Sequence, residues 1–404
     1  MKNSPTLLML TERFAPDLGG VARSAFRTAN ALSRLGVDVH VLAWTRTLQP
    51  GELRSSTEAS HSVGGITVHR LGLFSNWDFS MQHTSNVLEW LHEQHDFDGV
   101  WGHYVYPAGF MAVLFAETAG LPSTVSARGN DIDRLVFPPG DFARLTWTLD
   151  RATVVSSVSK DLASKINILL GRDASCCVLA NVVDSDIFHS QTPQTELDKL
   201  RKQFGISSHE AVLGFSGELR YKKGLPFLLQ ALAETNATRP TRLLVIGDVR
   251  PREQSTISSF LLDHPELSDQ LTVTGHLDQP ADVAMCLQIC DVVLQPSVWD
   301  GLPNSILEGM ACGRIVIASD AGGIPEAIKH GETGFLIAKS QLHRLGEGIG
   351  EVLDLPTAEQ ERIGQNARQS VLDHFNADIE ARRLSHLLQN LWPEWRTTLN
   401  EPDT

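Results

Sequence analysis

Pro296-Ser-Val-Trp-Asp300-Gly-Leu-Pro-Asn304-Ser-Ile-Leu-Glu308 sets two carboxylates with seven residues between them. Gly301, Leu302, Pro303 and Asn304 read as a loop entering a helix. Gly301 lets the backbone approach a ligand closely, and Asn304 is a favoured helix N-cap. A helix starting there aims free N–H groups and its positive dipole end at whatever precedes it, which suits a phosphate. Glu308 falls one turn into that helix, in reach of a ribose diol, while Asp300 stays in the loop for sugar hydroxyls. The same spacing also fits a solvated Asp and a solvated Glu beside an ordinary loop. The residues alone leave both readings open.

Outward from this stretch, short β-branched runs alternate with amphipathic helical segments, the pattern of α/β folds with parallel sheets. Strands are expected at 7–10, 37–43, 66–71, 99–101, 123–126, 153–155 and 176–179. A helix is expected from Val21 to Leu35, with Ala25, Ala29 and Leu32 inward and a stop at Gly36. The polar stretch Ser190 to Glu210 breaks the rhythm, and a second set of strands follows at 212–216, 243–246, 271–274, 292–295, 315–318 and 335–337. Two Rossmann-like domains are therefore expected, 1–190 and 191–377, with helices from Ala358 to Trp395 and a loose end from Glu394. The 404 residues suffice for two cores. Doubly wound sheets bind ligands beyond the carboxyl ends of their strands, in a cleft, and Pro296 to Glu308 follows the strand at 292–295. No internal repeat and no low-complexity tract stands out.

Continued through Gly309-Met-Ala-Cys-Gly-Arg-Ile-Val-Ile-Ala-Ser-Asp-Ala-Gly-Gly-Ile-Pro-Glu326, the stretch resembles the signature of retaining glycosyltransferases of family 4. The resemblance implies the GT-B fold: two doubly wound domains with parallel sheets facing across a cleft. It also implies an acceptor-side first domain, a nucleotide-sugar-binding second domain and a final helix, about 378–395, crossing back onto the first. The family pattern is Glu, seven residues, Glu; here Asp300 takes the first place. Pro16-Asp-Leu-Gly19-Gly20 matches the family's glycine loop after the first strand, where a diphosphate approaches, although a plain tight turn has the same look. In Gly217-Glu-Leu-Arg-Tyr-Lys-Lys-Gly224, Lys223 keeps the family's phosphate-clamping place. Glu218 stands where the clamping Arg belongs, and Arg220 is the natural substitute because guanidinium pairs bidentately with phosphate. His103, in Gly102-His-Tyr-Val-Tyr-Pro-Ala-Gly109, matches a His on the sugar and acceptor side; alone it reads equally as a structural histidine. Arg128-Gly-Asn-Asp131 sits where many members carry His-Gly-x-Asp. Arg128 cannot act as a base but stabilises anionic oxygens, and Asp131 orients it or meets acceptor. Asn181-Val-Val-Asp184 matches a turn read as structural.

The expected activity is transfer of a hexosyl unit from a UDP- or GDP-sugar to an acceptor hydroxyl, with retention, in glycan, glycolipid or glycoside biosynthesis. The acceptor class is a sugar, a lipid-linked sugar or a small molecule. Lys223 and Arg220 would meet the leaving diphosphate, with no metal and no cofactor. A non-hydrolysing nucleotide-sugar epimerase and an inactive nucleotide-sugar-binding subunit are the rival readings. The net charge of −14 argues against nucleic-acid binding and gives no support to a basic membrane-docking face. No apolar run reaches the ~20 residues a spanning helix needs, and the start reads as a strand, not a signal peptide. The five cysteines, odd in number and without a C-x-x-C pair, imply neither a disulfide framework nor a zinc site. A reducing cytoplasm is the expected setting. Gly346-Glu-Gly-Ile-Gly350 lies on a helical apolar period, and His92-Glu-Gln-His95 lacks the spacing of a zinc protease, so neither is read as a site.

Overall fold

A computed structural model describes residues 4–17, 19–58, 66–133 and 138–395. The end read as loose lies outside the described residues beyond Trp395. The chain divides into two compact units, Met1–Ala180 with Asp378–Thr404, and Asn181–Ala377. The division therefore falls after Ala180, ahead of the polar stretch that suggested residue 190.

The first unit runs β1 (Thr6–Thr11), α1 (Gly20–Arg34), β2 (Asp38–Thr45), β3 (Leu53–Glu58), β4 (Ile66–Gly72), α2 (Trp77–His95), β5 (Gly99–His103), α3 (Phe110–Ala119), β6 (Ser123–Ala127), α4 (Asn130–Asp133), α5 (Pro139–Arg151), β7 (Val154–Ser157), α6 (Lys160–Leu170) and β8 (Cys177–Val178). Its sheet has the order β3-β4-β2-β1-β5-β6-β7-β8. Every pairing is parallel except β3 with β4. β1 is buried along its whole length, as a strand covered on both faces must be. Chain order reverses at the β1–β5 pair, so the loops after these strands open on a topological switch point.

The second unit runs α7 (Gln194–Gln203), β9 (Ala211–Ser216), α8 (Leu225–Asn236), β10 (Thr241–Ile246), α9 (Gln254–Asp263), β11 (Leu271–Val273), α10 (Pro280–Gln288), β12 (Val292–Gln295), α11 (Asn304–Ala311), β13 (Ile315–Ser319), β14 (Phe335–Ile337), α12 (Leu345–Leu353) and α13 (Thr357–His374). Its six strands are all parallel, in the order β11-β10-β9-β12-β13-β14. Here the order reverses at β9 and β12. The last helix, α14 (Ala377–Leu391), belongs to the first unit. Its Leu384, Leu387, Leu388 and Leu391 form one helical stripe, packed in one core with Leu7, Met9, Val39 and Val41. Burial of each leucine contributes about 2 kcal/mol. Trp392 follows, its Nε1 donating to the Asp98 carbonyl at 2.9 Å.

All five cysteines are free; Cys286, Cys290 and Cys312 are buried, whereas Cys176 and Cys177 are half-buried. Among the described residues, no helix is long and apolar enough to cross a membrane.

Candidate functional site

In the second unit, the loops after β9 and β12 are the two that flank the switch point, and they are bonded to each other. The Val298 amide donates to the Lys222 carbonyl at 2.8 Å. Gly224, at φ 86°, lies so close to Pro296 that a Cβ there would overlap its carbonyl oxygen. These contacts bring Lys223 to Asp300, and its ammonium donates to Oδ2. Asp300 also accepts from Ser297 Oγ at 3.3 Å and from the Gly301 amide at 3.1 Å. Burial pushes this carboxyl up, but Lys223, Lys222 and the hydrogen bonds outweigh it and hold Asp300 below its ordinary 3.8. The loop carboxylate read as open to sugar hydroxyls is thus an ion-pair partner of Lys223.

Arg220 lies 3.5 Å from Glu218, whose two oxygens are held by Arg250 at 3.2 and 2.8 Å. The loop after β10, Gly247-Asp-Val-Arg250, repeats the form of Gly217-Glu-Leu-Arg220, and Leu219 bridges Val249. That short repeat, passed over in the sequence, gives Glu218 its role: it pairs with the arginine of the neighbouring loop.

Asn304 is not the N-cap of α11. The cap position is Pro303, extended at φ −66°, with no side-chain cap bond, and Asn304 is the first helical residue. Proline cannot fill the amides that a cap residue would, so the helix start is left to other acceptors. Leu302 is a packing residue, 3% exposed, and its carbonyl accepts from Asn181 Nδ2 at 2.6 Å. Gly301 and Pro303 are buried beside it. Glu308 lies in the following turn of α11, buried at 6% exposure. Both glycines of Asp320-Ala-Gly-Gly323 close the loop: a Cβ at Gly322, at φ 54°, would overlap the Asp300 carbonyl oxygen, and the Gly323 amide donates to the Gly301 carbonyl at 2.7 Å. Asn181, read as a structural turn, is thus a direct support of the motif.

In the first unit, the loops after β1, β5 and β6 carry the other predicted residues. Gly19, at φ 119°, precedes α1, and Gly20 is its first residue; both are exposed, and neither would meet another atom with a Cβ. Leu18 between Pro16-Asp and these glycines lies outside the described residues. His103 ends β5, fully buried, with Nε2 2.9 Å from Ser24 Oγ on α1. Ser24 gives its own proton to the Val21 carbonyl at 3.0 Å, so the ring donates from Nε2 and Nδ1 is left as an acceptor. Nδ1 has no hydrogen-bond partner among the described residues. Burial, then Arg128 and Arg27, hold the ring well below its usual pKa of 6.5, so it is neutral. The next residue, Tyr104, takes φ 98°, a strained conformation for an L residue at the strand's end.

Arg128 follows β6; burial and the neighbouring Arg27 lower its pKa to about 9. Asp131 lies in the same loop. It is fully buried and accepts from three backbone amides: Val105 at 3.1 Å, Arg128 at 3.0 and 3.1 Å, and Gly129 at 2.8 Å. It holds the loop that carries Arg128. Burial raises its pKa to about 6 against those bonds. Glu12, just after β1, is the residue the sequence did not mark. Burial first, then Asp131, push its carboxyl up to about 7. Arg27 joins the group, its Nε donating to Glu380 of α14 at 2.9 Å.

Residues 197–370 match the glycosyl transferases group 1 family, and residues 19–181 match the glycosyl transferase 4-like domain. N-acetyl-alpha-D-glucosaminyl L-malate synthase of Bacillus anthracis is 25% identical over 78% of this chain and 80% of its own length. A GDP-mannose-dependent monoacylated alpha-(1-6)-phosphatidylinositol monomannoside mannosyltransferase of Corynebacterium glutamicum is 25% identical over 76% of this chain and 80% of its own. The Anabaena Alr3699/HepE structure in complex with UDP and glucose superposes with a TM-score of 0.77, covering 95% of this chain and 99% of that one at 20% identity, a likeness of fold. The chain is a family 4-like glycosyltransferase of the GT-B fold.

Proposed function

We propose that this glycosyltransferase moves a hexosyl unit from a UDP- or GDP-sugar to an acceptor hydroxyl with retention of configuration, in the building of a glycan, glycolipid or glycoside. The observation that carries the reading is the meeting of Lys223, Asp300 and the uncapped start of α11 at one switch point. A diphosphate there replaces Asp300 as partner of the Lys223 ammonium, and Arg220 and the α11 amides share its charge. Glu308 accepts from the ribose diol. Asp300 holds Lys223 in place before the donor arrives and then turns to the sugar hydroxyls. The cations that stabilise the departing diphosphate come from side chains and a helix end, the part a metal ion plays in other phosphate chemistry. A leaving phosphate oxygen takes the acceptor proton, so no protein nucleophile enters. In the first unit, neutral His103 and Arg128 are the acceptor-side candidates, and a cation partly deprived of solvent favours an acceptor bearing anionic or strongly polar oxygens.

Lys223→Ala tests the reading. Once thermal shifts have shown whether UDP or GDP binds, the matching donor sugars identify turnover. The variant then loses kcat on the order of 100-fold, the usual effect of removing one such donor. The wild type turns over without added Mg²⁺ or Mn²⁺, and NMR of the product shows the donor's anomeric configuration. A variant with near-normal kcat refutes the clamp.

A further inference from the structure

The first unit carries a second cluster of chemistry that sugar transfer does not use. On one face of the sheet, β2 presents His40, Leu42 and Trp44, and β4 presents Thr67, His69 and Leu71. Leu42 and Leu71 join the apolar core under α2, but His40 and His69 interrupt it, 6% and 2% exposed. Their facing nitrogens, His40 Nδ1 and His69 Nε2, are 3.1 Å apart. His95, the last residue of α2, closes over them, its ring centroid 4.2 Å from that of His40 and 5.7 Å from that of His69. One nitrogen from each of the three rings lies within 4.8 Å of the others.

We propose that His40, His69 and His95 bind one divalent transition-metal ion of the zinc type, in a site separate from the sugar-transfer centre. Three imidazoles and one water complete a tetrahedron, and zinc–nitrogen bonds of about 2.0–2.1 Å put neighbouring ligand nitrogens about 3.3 Å apart. The observed 3.1 Å is close to that spacing. The groups behind the rings match those that orient metal-bound histidines. Ser55 Oγ, directly across the β3–β4 ladder, is 2.8 Å from His69 Nδ1, and an Asp38 oxygen is 3.7 Å from His40 Nε2. With the outer nitrogens protonated toward these oxygens, the inner two aim lone pairs at each other, an arrangement that a bound cation satisfies. The donor set is all nitrogen, which selects zinc, nickel or cobalt over magnesium or calcium. His40 lies near the start of β2, whereas His103 ends β5 and Arg128 and Gly19 lie beyond the carboxyl ends of their strands. The ion therefore ties β2, β4 and the end of α2 together and takes no part in transfer.

The full-length protein, stripped with EDTA and dialysed, is titrated with zinc sulfate by calorimetry and then desalted for elemental analysis. One saturable site retaining about one zinc per chain is expected. Zinc, and not magnesium, should also raise Tm, because an ion bound to the folded state stabilises it. His95→Ala, at a half-buried helix end where folding is preserved, and His69→Gln each weaken zinc binding by at least about 10-fold, the low end of what loss of even an outer-shell partner costs. The circular dichroism spectrum and the tryptophan fluorescence of metal-free His95→Ala stay at the wild-type values and verify the fold of the first unit. Absence of saturable zinc uptake overturns the proposal and leaves a Ser55–His69–His40 hydrogen-bond chain. Wild-type zinc affinity in both variants overturns it as well.

Discussion

The strand-end sites of the two units handle charge in opposite ways. In the second, Lys223 and Asp300 neutralise each other, and the pair overrides burial to keep the carboxylate ionised. In the first, burial dominates every group: His103 is driven well down, Arg128 to about 9, Asp131 up to about 6 and Glu12 up to about 7. The difference follows from construction. Two loops bonded to each other deliver a lysine to a carboxylate, whereas at the strand ends of the first unit burial outweighs the opposite charges close by. A site built on an ion pair offers its cation by exchange of partners. A site built on desolvated groups depends on the backbone that holds it in place.

The largest test of this contrast is Asp131→Ala. Three buried amides lose their acceptor, and at roughly 1 kcal/mol or more each the cost reaches about 3 kcal/mol. Urea denaturation followed by tryptophan fluorescence, with Trp44 and Trp101 reporting on the first unit, shows an earlier transition. An unchanged transition means the carboxylate is not the anchor of the Arg128 loop.

Glu12→Gln comes next and reads the same desolvation through pH. The folded-state pKa of about 7 lies above the ordinary 4.5, so between these values the native protein keeps a proton that the unfolded chain releases. The contribution of Glu12 is therefore complete below pH 4.5 and declines as pH rises through 7. Glutamine imitates the protonated form. Its variant matches wild type near pH 4.5 and is more stable at pH 7.5, by roughly 1–3 kcal/mol. A stability difference that does not change with pH removes Glu12 from the buried group.

The contrast also explains what the sequence disclosed. The all-parallel sheet of the second unit could be read strand by strand because its strands are continuous apolar runs between turn residues. β3 could not: Leu53-Arg-Ser-Ser-Thr-Glu58 has a single apolar residue, and its place comes from pairing with β4 at the sheet's edge. Asp300 and Glu308 were legible as a spacing, since one loop and one helix carry both. That Lys223 is the partner of Asp300 was not, because a contact between distant loops leaves no local pattern. Glu12, Ser24 and Arg27 were invisible for the same reason, and the way Asp131 holds the Arg128 loop was not legible because it works through backbone amides that no side-chain pattern encodes. The Asn304 cap failed on a local rule, proline taking the position just before the helix.

Asp300→Asn is the smallest expected effect and the sharpest on the ion-pair side. In the unliganded protein, Oδ2 of Asp300 and an incoming phosphate oxygen compete for the same ammonium. Removing the carboxylate's charge frees Lys223, so affinity for the free nucleoside diphosphate stays level or rises by up to about 5-fold, roughly 1 kcal/mol. Transfer slows in the same variant on the proposed reading, in which Asp300 turns to the sugar hydroxyls and has here lost its charge. Glu308→Gln provides the opposite sign: its proposed partner, the ribose diol, is present in diphosphate and donor sugar alike, so binding of both weakens. Calorimetry of the two variants with diphosphate and with donor sugar separates the roles. Weaker diphosphate binding in Asp300→Asn, equal to that in Glu308→Gln, would show that Asp300 supports the nucleotide directly and that Lys223 does not exchange partners.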